Sequence, residues 1–63
     1  MMQMNAKAMA IVTVYFRDGS LERRHSWIGL HVDKDESLAS LTIDGRSYSY
    51  SNVTTIDVSS AGT

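Results

Sequence analysis

Apolar and polar residues alternate along most of this chain, and a period of two predicts β-strands rather than helices. Residues 8–17 form the first predicted strand, which is rich in β-branched and aromatic side chains. The face predicted to line the core carries Ala8, Ala10, Val12, Val14 and Phe16. The opposite face carries Met9, Ile11, Thr13, Tyr15 and Arg17. Because that second face is half apolar, we expect it to be partly covered.

Two Asp-Gly pairs, Asp18-Gly19 and Asp44-Gly45, each separate two alternating runs. A two-residue type I′ turn needs positive φ at both of its central residues. Glycine adopts positive φ freely, and aspartate tolerates it better than most residues. The sequence therefore predicts that the chain reverses at both pairs and forms antiparallel hairpins.

The predicted second strand runs from Ser20 to about Val32, and its apolar phase changes partway. One phase holds Leu21, Arg23, His25 and Trp27, and the opposite phase holds Ile28, Leu30 and Val32. A strand with a single register cannot bury both sets, so we expect a bulge or a sharp bend near Gly29. Such a strand would leave one sheet and enter another.

The remaining chain predicts two more strands and a short closing strand. In order, these elements are a charged connection at 33–37, strands at 38–43 and 46–51, a single 3₁₀ turn between Val53 and Ile56, and a strand at 54–59. The 3₁₀ turn is expected because Val53 and Ile56 are three residues apart.

This order of elements resembles that of the SH3-like and Sm-like small barrels. The resemblance covers residues 10–58, through Phe16-Arg17-Asp18-Gly19 and the closing run from Asn52 to Val58. It implies an all-β fold, a small five-stranded antiparallel barrel. The glycine-bearing uridine-binding signature of Sm-like RNA binders is missing before the last strand, so we carry over no site residue. A four-stranded meander completed by dimerisation is the alternative fold.

A chain of 63 residues forms one domain. We predict a β domain over 8–60, a flexible N-terminal extension over 1–7 and a flexible tail over 61–63. A core of this size supplies on the order of 3–5 kcal/mol, and small scaffolds usually add a disulfide, a metal or a partner subunit. The chain has no cysteine, so an unusually regular barrel or self-association is the expected source of further stability.

Charge, hydrophobicity and the spacing of polar residues argue against several classes of function. A net charge of −1 argues against a sequence-independent coat on DNA, because phosphate neutralisation drives such binding. No apolar stretch approaches the ~20 residues of a membrane helix, and no secretory signal precedes the domain, so we expect a cytoplasmic protein without a membrane partner. His31 and Asp33 share a strand face, but their spacing matches no metal motif, and we expect no metal or cofactor. The serines and histidines lie on no nucleophile elbow, so we expect no enzymatic activity.

Two functions remain open. The first is a non-catalytic interaction module, a homo-oligomer or a partner of another protein, acting through its β-sheet surface. The contact residues predicted for it are Met9, Ile11 and Tyr15. The alternative is a binder of an anionic ligand, a single-stranded nucleic acid or a nucleotide, because arginine forks bind phosphates and aromatic faces stack on bases. The residues predicted for it are Arg23, Arg24, Arg46, Tyr48 and Tyr50.

Trp27 is the only tryptophan and lies at the predicted bend. We expect it to fill the core of the barrel, in which case its replacement by alanine would cost about 3–5 kcal/mol. The other interpretation is an exposed binding anchor, because tryptophan is enriched among the residues that dominate protein–protein binding energy.

Overall fold

The computed structural model describes residues 10–60, which form six β-strands and no helix. The strands are Ala10–Phe16 (β1), Leu21–Ser26 (β2), Leu30–Asp35 (β3), Leu38–Ile43 (β4), Arg46–Tyr50 (β5) and Val53–Ser60 (β6). They form two antiparallel sheets of three strands, sheet A in the order β2-β1-β6 and sheet B in the order β3-β4-β5. The all-β prediction is confirmed. Within residues 10–60 these strands make neither a closed five-stranded barrel nor a single four-stranded meander.

The long second strand of the prediction is two strands that belong to different sheets. β2 ends at Ser26 in sheet A, and β3 begins at Leu30 in sheet B, so the chain changes sheets at 27–29 as expected. The bend was predicted from a change in which alternate residues are apolar, and that argument was partly wrong, because it assumed that the inward residues of β2 are apolar. On β2 the positions paired with the core face of β1 are Glu22, Arg24 and Ser26. The apparent change of phase arises because this inward face of β2 is polar.

The two Asp-Gly pairs make different turns. Asp44 and Gly45 lie between the paired residues Ile43 and Arg46, with φ of 52° and 84°, which confirms the two-residue turn with positive φ at both positions. The prediction at Asp18-Gly19 was right about the reversal but wrong about its length. In this hairpin the N–H of Phe16 donates to the carbonyl of Ser20, and the carbonyl of Phe16 accepts from the N–H of Gly19. The loop therefore has three residues, 17–19, and among them Gly19 alone has positive φ, at 92°.

Two further reversals carry no glycine. Asp35 pairs with Leu38 across a two-residue turn that begins at Glu36, whose φ is 57°, so the charged connection predicted at 33–37 is mostly strand. Asn52, with φ of 60°, precedes β6. The predicted 3₁₀ turn between Val53 and Ile56 is wrong, because the chain there is already strand.

The core is small and draws equally on the two sheets. Its six buried apolar residues are Val12, Val14 and Val53 from sheet A and Ala39, Leu41 and Ile43 from sheet B. The central strands β1 and β4 supply five of them, because a central strand is shielded by neighbours on both sides. Partly buried side chains surround this cluster, namely Phe16, Leu30, Val32, Tyr48, Tyr50 and Ile56.

Several predictions fall outside the described part of the chain. These predictions are the flexible extension at 1–7, the tail at 61–63, the beginning of the first strand at residues 8 and 9, and the role of Met9 as a contact residue. Over residues 10–60, which carry the fold, no helix is long and apolar enough to cross a membrane.

Candidate interaction surface

Trp27 and Ile28 form an exposed apolar tip between β2 and β3. They are 59% and 79% exposed, whereas the six buried residues of the described core are alanine, valine, leucine and isoleucine. The prediction that Trp27 fills the core is therefore wrong. The physical reason is topological: the chain crosses between sheets at this point, and the short crossing segment lies at the end of the sandwich rather than between its layers.

Asp44 holds the backbone of this tip in place. Its Oδ1 accepts hydrogen bonds from the N–H groups of Ile28 (2.8 Å), Gly29 (3.1 Å) and Trp27 (3.1 Å). Its own N–H donates to the carbonyl of Gly29 at 3.0 Å, and the hydroxyl of Ser26 donates to that carbonyl at 2.7 Å. The turn between β4 and β5 thus ties down the crossing segment, and the tip projects two large apolar side chains from a fixed backbone.

The charge of Asp44 fits this arrangement. The hydrogen bond from the N–H of Ile28 is the main factor that lowers the pKa of Asp44 below its ordinary value, and the bonds from Gly29, Trp27 and Ser26 add to it, while partial burial opposes them. Hydrogen bonds to the carboxylate favour the charged form, so the side chain is ionised at neutral pH and the tip is held by charge-assisted bonds.

A polar network joins the edge strands β2 and β5 of the two sheets. The Nε of Arg24 donates to the hydroxyl of Tyr50 at 2.6 Å, and that hydroxyl donates to Oε2 of Glu22 at 2.7 Å. The guanidinium of Arg24 also pairs with Glu22 at 2.7 Å and lies 3.9 Å from the ring centroid of Tyr48. Tyr50 of β5 therefore provides hydrogen-bond partners for the inward-facing Glu22 and Arg24 of β2. Phe16 packs on the ring of Tyr50, with 5.8 Å between the ring centroids.

This network gathers three of the five residues predicted to bind an anionic ligand and separates the other two. Arg24, Tyr48 and Tyr50 meet between the sheets. Arg23 points to the other face of sheet A, where it donates to the hydroxyl of the buried Thr13 at 3.3 Å. Arg46 is exposed on β5 beside the Asp44 turn. Glu22 already neutralises Arg24, so an incoming phosphate would have to compete with an ion pair.

Replacing Tyr50 with phenylalanine tests the network. The change removes the hydroxyl that bridges Arg24 and Glu22 but keeps the ring, so we expect a loss of about 1 kcal/mol in the free energy of unfolding. Urea denaturation followed by circular dichroism measures it. A matched Tyr48→Phe change, at a residue whose ring rather than hydroxyl meets Arg24, should leave stability nearly unchanged; equal losses in both variants would contradict the assignment.

Two of the predicted oligomer contacts, Ile11 and Tyr15, lie on the outer face of sheet A. Ile11 and Tyr15 flank Thr13 on β1, and both are half-buried although sheet B packs on the opposite face. The expectation that this face is partly covered is confirmed, since Thr13 is only 4% exposed.

Sequence reasoning missed the most organised element of the site, the bond between Asp44 and the tip. Asp44 was assigned only to its turn, and a carboxylate seventeen positions away from Trp27 carries no local signal of contact. Glu22 was missed as the partner of Arg24, although a Glu and an Arg two positions apart on one strand face suggest such a pair.

Over residues 10–60, His, Cys, Asp and Glu side chains form no group of three that could hold a metal ion. An open cleft lies at the end of the molecule remote from the tip, lined by Phe16, Arg17, Asp18, Ser20, Ser51 and Asn52. There the N–H and hydroxyl of Ser20 both donate to Asp18, and the hydroxyl bond is the main factor that lowers the pKa of Asp18.

No protein-family model matches the chain, and no curated protein sequence or solved structure is significantly similar to it.

Proposed function

We propose that the chain is a non-catalytic interaction module that acts with another protein or with copies of itself, and that the tip formed by Trp27 and Ile28 is its main contact. The observation that carries the proposal is the position of its only tryptophan. Trp27 and Ile28 are exposed on a backbone fixed by Asp44, while alanine and valine fill much of the core.

Two physical arguments support this role. Burying a large apolar side chain on binding gains about 1.5–3 kcal/mol, and aromatic anchors dominate protein–protein binding energies. A tip that is already held in one conformation loses little entropy when it binds, which raises affinity. The partner that fits is a protein with an apolar cleft wide enough for an indole ring.

Paired substitutions test the proposal. With the wild-type chain as bait, we expect a partner to be retained, and the Trp27→Ala, Ile28→Ala double variant to lose it. Leu38→Ala is the matched control, because Leu38 is similarly exposed at 58% but lies on β4, at the end of the molecule remote from the tip. Once a partner is in hand, a binding titration should show at least a tenfold weakening for the double variant and less than a twofold change for the control. Equal binding by both variants would overturn the proposal.

The fluorescence of Trp27 also reports directly on whether the tip is exposed or covered. In the free protein we expect the emission of a water-exposed indole that is readily quenched by acrylamide, and a shift to shorter wavelength when a partner covers the tip. Trp27→Ala should change the free energy of unfolding by no more than about 0.5 kcal/mol, as for other surface substitutions. A loss of several kcal/mol in a denaturation experiment would restore the core assignment.

The anionic-ligand role is the weaker proposal. Its support is the meeting of Arg24, Tyr48 and Tyr50, but the ion pair with Glu22 already uses the arginine. Titration with a labelled single strand at low and moderate salt tests it, because phosphate contacts make binding salt-dependent. Binding at low salt that tightens in a Glu22→Gln variant would favour this role over the first.

A further inference from the structure

One edge of sheet A is formed by β6, Val53–Ser60, the longest of the six strands described within residues 10–60. Within the described residues β6 pairs with β1 along one edge, and no strand pairs with the other edge. Only the N–H of Val53, at its beginning, is bonded away from β1, to the carbonyl of Ser37 at 2.9 Å. A long unpaired edge is a template for another strand, and native proteins usually protect such edges.

The other three edge strands carry such protection, and β6 carries little. Charged or titratable side chains occupy four positions of β2 and four of β3, and β5 has only five residues. β6 has eight residues with a single charge, Asp57, and no lysine or proline. Its one irregularity is a register shift at its start, where the partner of β1 steps from Thr55 to Val53. From Thr55 to Ser60 the edge is regular.

The hydrogen bonds of the first hairpin show which backbone groups face outward. Phe16 donates to Ser20, so Phe16 and alternate residues of β1 direct their N–H and C=O groups toward β2. The intervening residues of β1 therefore bond to β6, and their partners there are Thr55, Asp57 and Ser59. By alternation, the backbone groups of Ile56 and Val58 point to the free edge. Val58 is also 48% exposed, beside the partly buried Ile56.

We infer that the free edge of β6 pairs antiparallel with β6 of a second copy of this chain, joining two copies of sheet A into one six-stranded sheet. This inference rests on the proposed interaction role but concerns a different surface from the tip. A second copy is the occupant because β6 can pair with itself: a two-fold axis at one of its residues keeps Ile56 and Val58 of both copies on one face of the joined sheet and Thr55, Asp57 and Ser59 on the other.

The single charge on β6 selects the register. An axis at Asp57 would place two aspartates directly opposite each other, which is destabilising. An axis at Ile56 places Asp57 opposite Thr55 of the second copy and lets the N–H of Val58 bond to the carbonyl of Thr54. It also pairs a longer stretch of β6 than an axis at Val58 would. The pairing therefore centres on Ile56, and the N–H of Val58 is a required donor.

Replacing Val58 with proline tests the inference, since proline removes an N–H that faces solvent in the single chain but is needed in the pair. Light scattering coupled to size-exclusion chromatography, over about 1 µM to 1 mM, should show a wild-type dimer at the upper end, as expected for a small interface. Val58→Pro should remain monomeric, with at least a tenfold weaker association. Val58→Thr keeps the N–H and should dimerise like the wild type.

A second variant serves as a control in case the proline variant misfolds. The 63-residue chain with an N-methyl group on the Val58 nitrogen keeps the valine side chain and lacks the donor, and it should also be monomeric. A wild type that stays monomeric, or dimers that persist in both donor-lacking chains, would overturn the inference. The Trp27→Ala, Ile28→Ala variant should still dimerise; if it is the one that becomes monomeric, the tip and not β6 is the contact between copies.

Discussion

Replacing Leu41 with alanine should leave most of the protein molecules unfolded at room temperature. Leu41 is completely buried at the centre of β4, opposite Val32 on β3 and Tyr48 on β5. It is the largest of the fully buried side chains in a core of six. Removing a buried leucine costs about 2–5 kcal/mol, through lost transfer free energy and the cavity that remains. A domain of this size has on the order of 3–5 kcal/mol in total.

The measurement is a urea denaturation curve followed by circular dichroism, together with the dispersion of amide signals in a proton–nitrogen NMR spectrum. Leu38→Ala is the control, on the same strand but 58% exposed, and should change stability by no more than about 0.5 kcal/mol. A Leu41→Ala chain with a midpoint close to that of the wild type would show that the two sheets do not pack on Leu41. The comparison is made on dilute protein, because the proposed pairing of two copies would add stability that rises with the logarithm of the protein concentration.

Removing the carboxylate of Asp44 should loosen the junction between the sheets and lower the melting temperature on the order of 10 °C. Asp44→Gly is the informative variant. Glycine adopts the φ of 52° required at this turn without strain, so the variant keeps the turn and loses only the acceptor for the N–H groups of the tip. Asp44→Asn is its partner, because asparagine also tolerates positive φ and keeps one oxygen acceptor without the charge.

The pH dependence separates charge from hydrogen bonding. The pKa of Asp44 in the folded protein lies below its ordinary value of 3.8, chiefly because the N–H of Ile28 bonds to the carboxylate. A lowered pKa means that the carboxylate stabilises the fold fully above the unfolded value and that this stabilisation is lost as the pH falls through the folded pKa. Wild-type stability should therefore decline below about pH 5, whereas Asp44→Asn should decline less.

Some acid sensitivity should remain in Asp44→Asn, because the pKa of Asp18 is also lowered, mainly by the hydroxyl of Ser20. An Asp18→Asn, Asp44→Asn double variant should be flatter still. Thermal melts between about pH 2.5 and pH 7 give the comparison, across the range in which aspartates titrate. If Asp44→Asn followed the wild-type curve throughout, the carboxylate would not be holding the tip as a charged acceptor.

Local patterns predicted most of the strand positions, because side-chain alternation and turn chemistry are properties of neighbouring residues. They nevertheless joined β2 and the start of β3 into one strand and assigned residues 33–35 to a connection. Alternation in β1 separated Val12 and Val14 from Ile11 and Tyr15, and the Asp44-Gly45 pair was assigned its turn correctly. The turn at Glu36 was missed because it uses positive φ at a residue that seldom adopts it. The polar inward face of β2 was missed because hydrophobicity alone was used to identify the inward side.

By itself the sequence determined the all-β class, five strand-rich regions and the reversals at both Asp-Gly pairs, since these follow from the side-chain period and from backbone conformational preference. Only the tertiary structure decided that Trp27 is exposed, that Arg24 is paired with Glu22 and Tyr50, that Asp44 holds the tip and that no strand among residues 10–60 pairs with the second edge of β6. Each of those depends on which residues distant in sequence meet when the two sheets stack, and no local pattern contains that information.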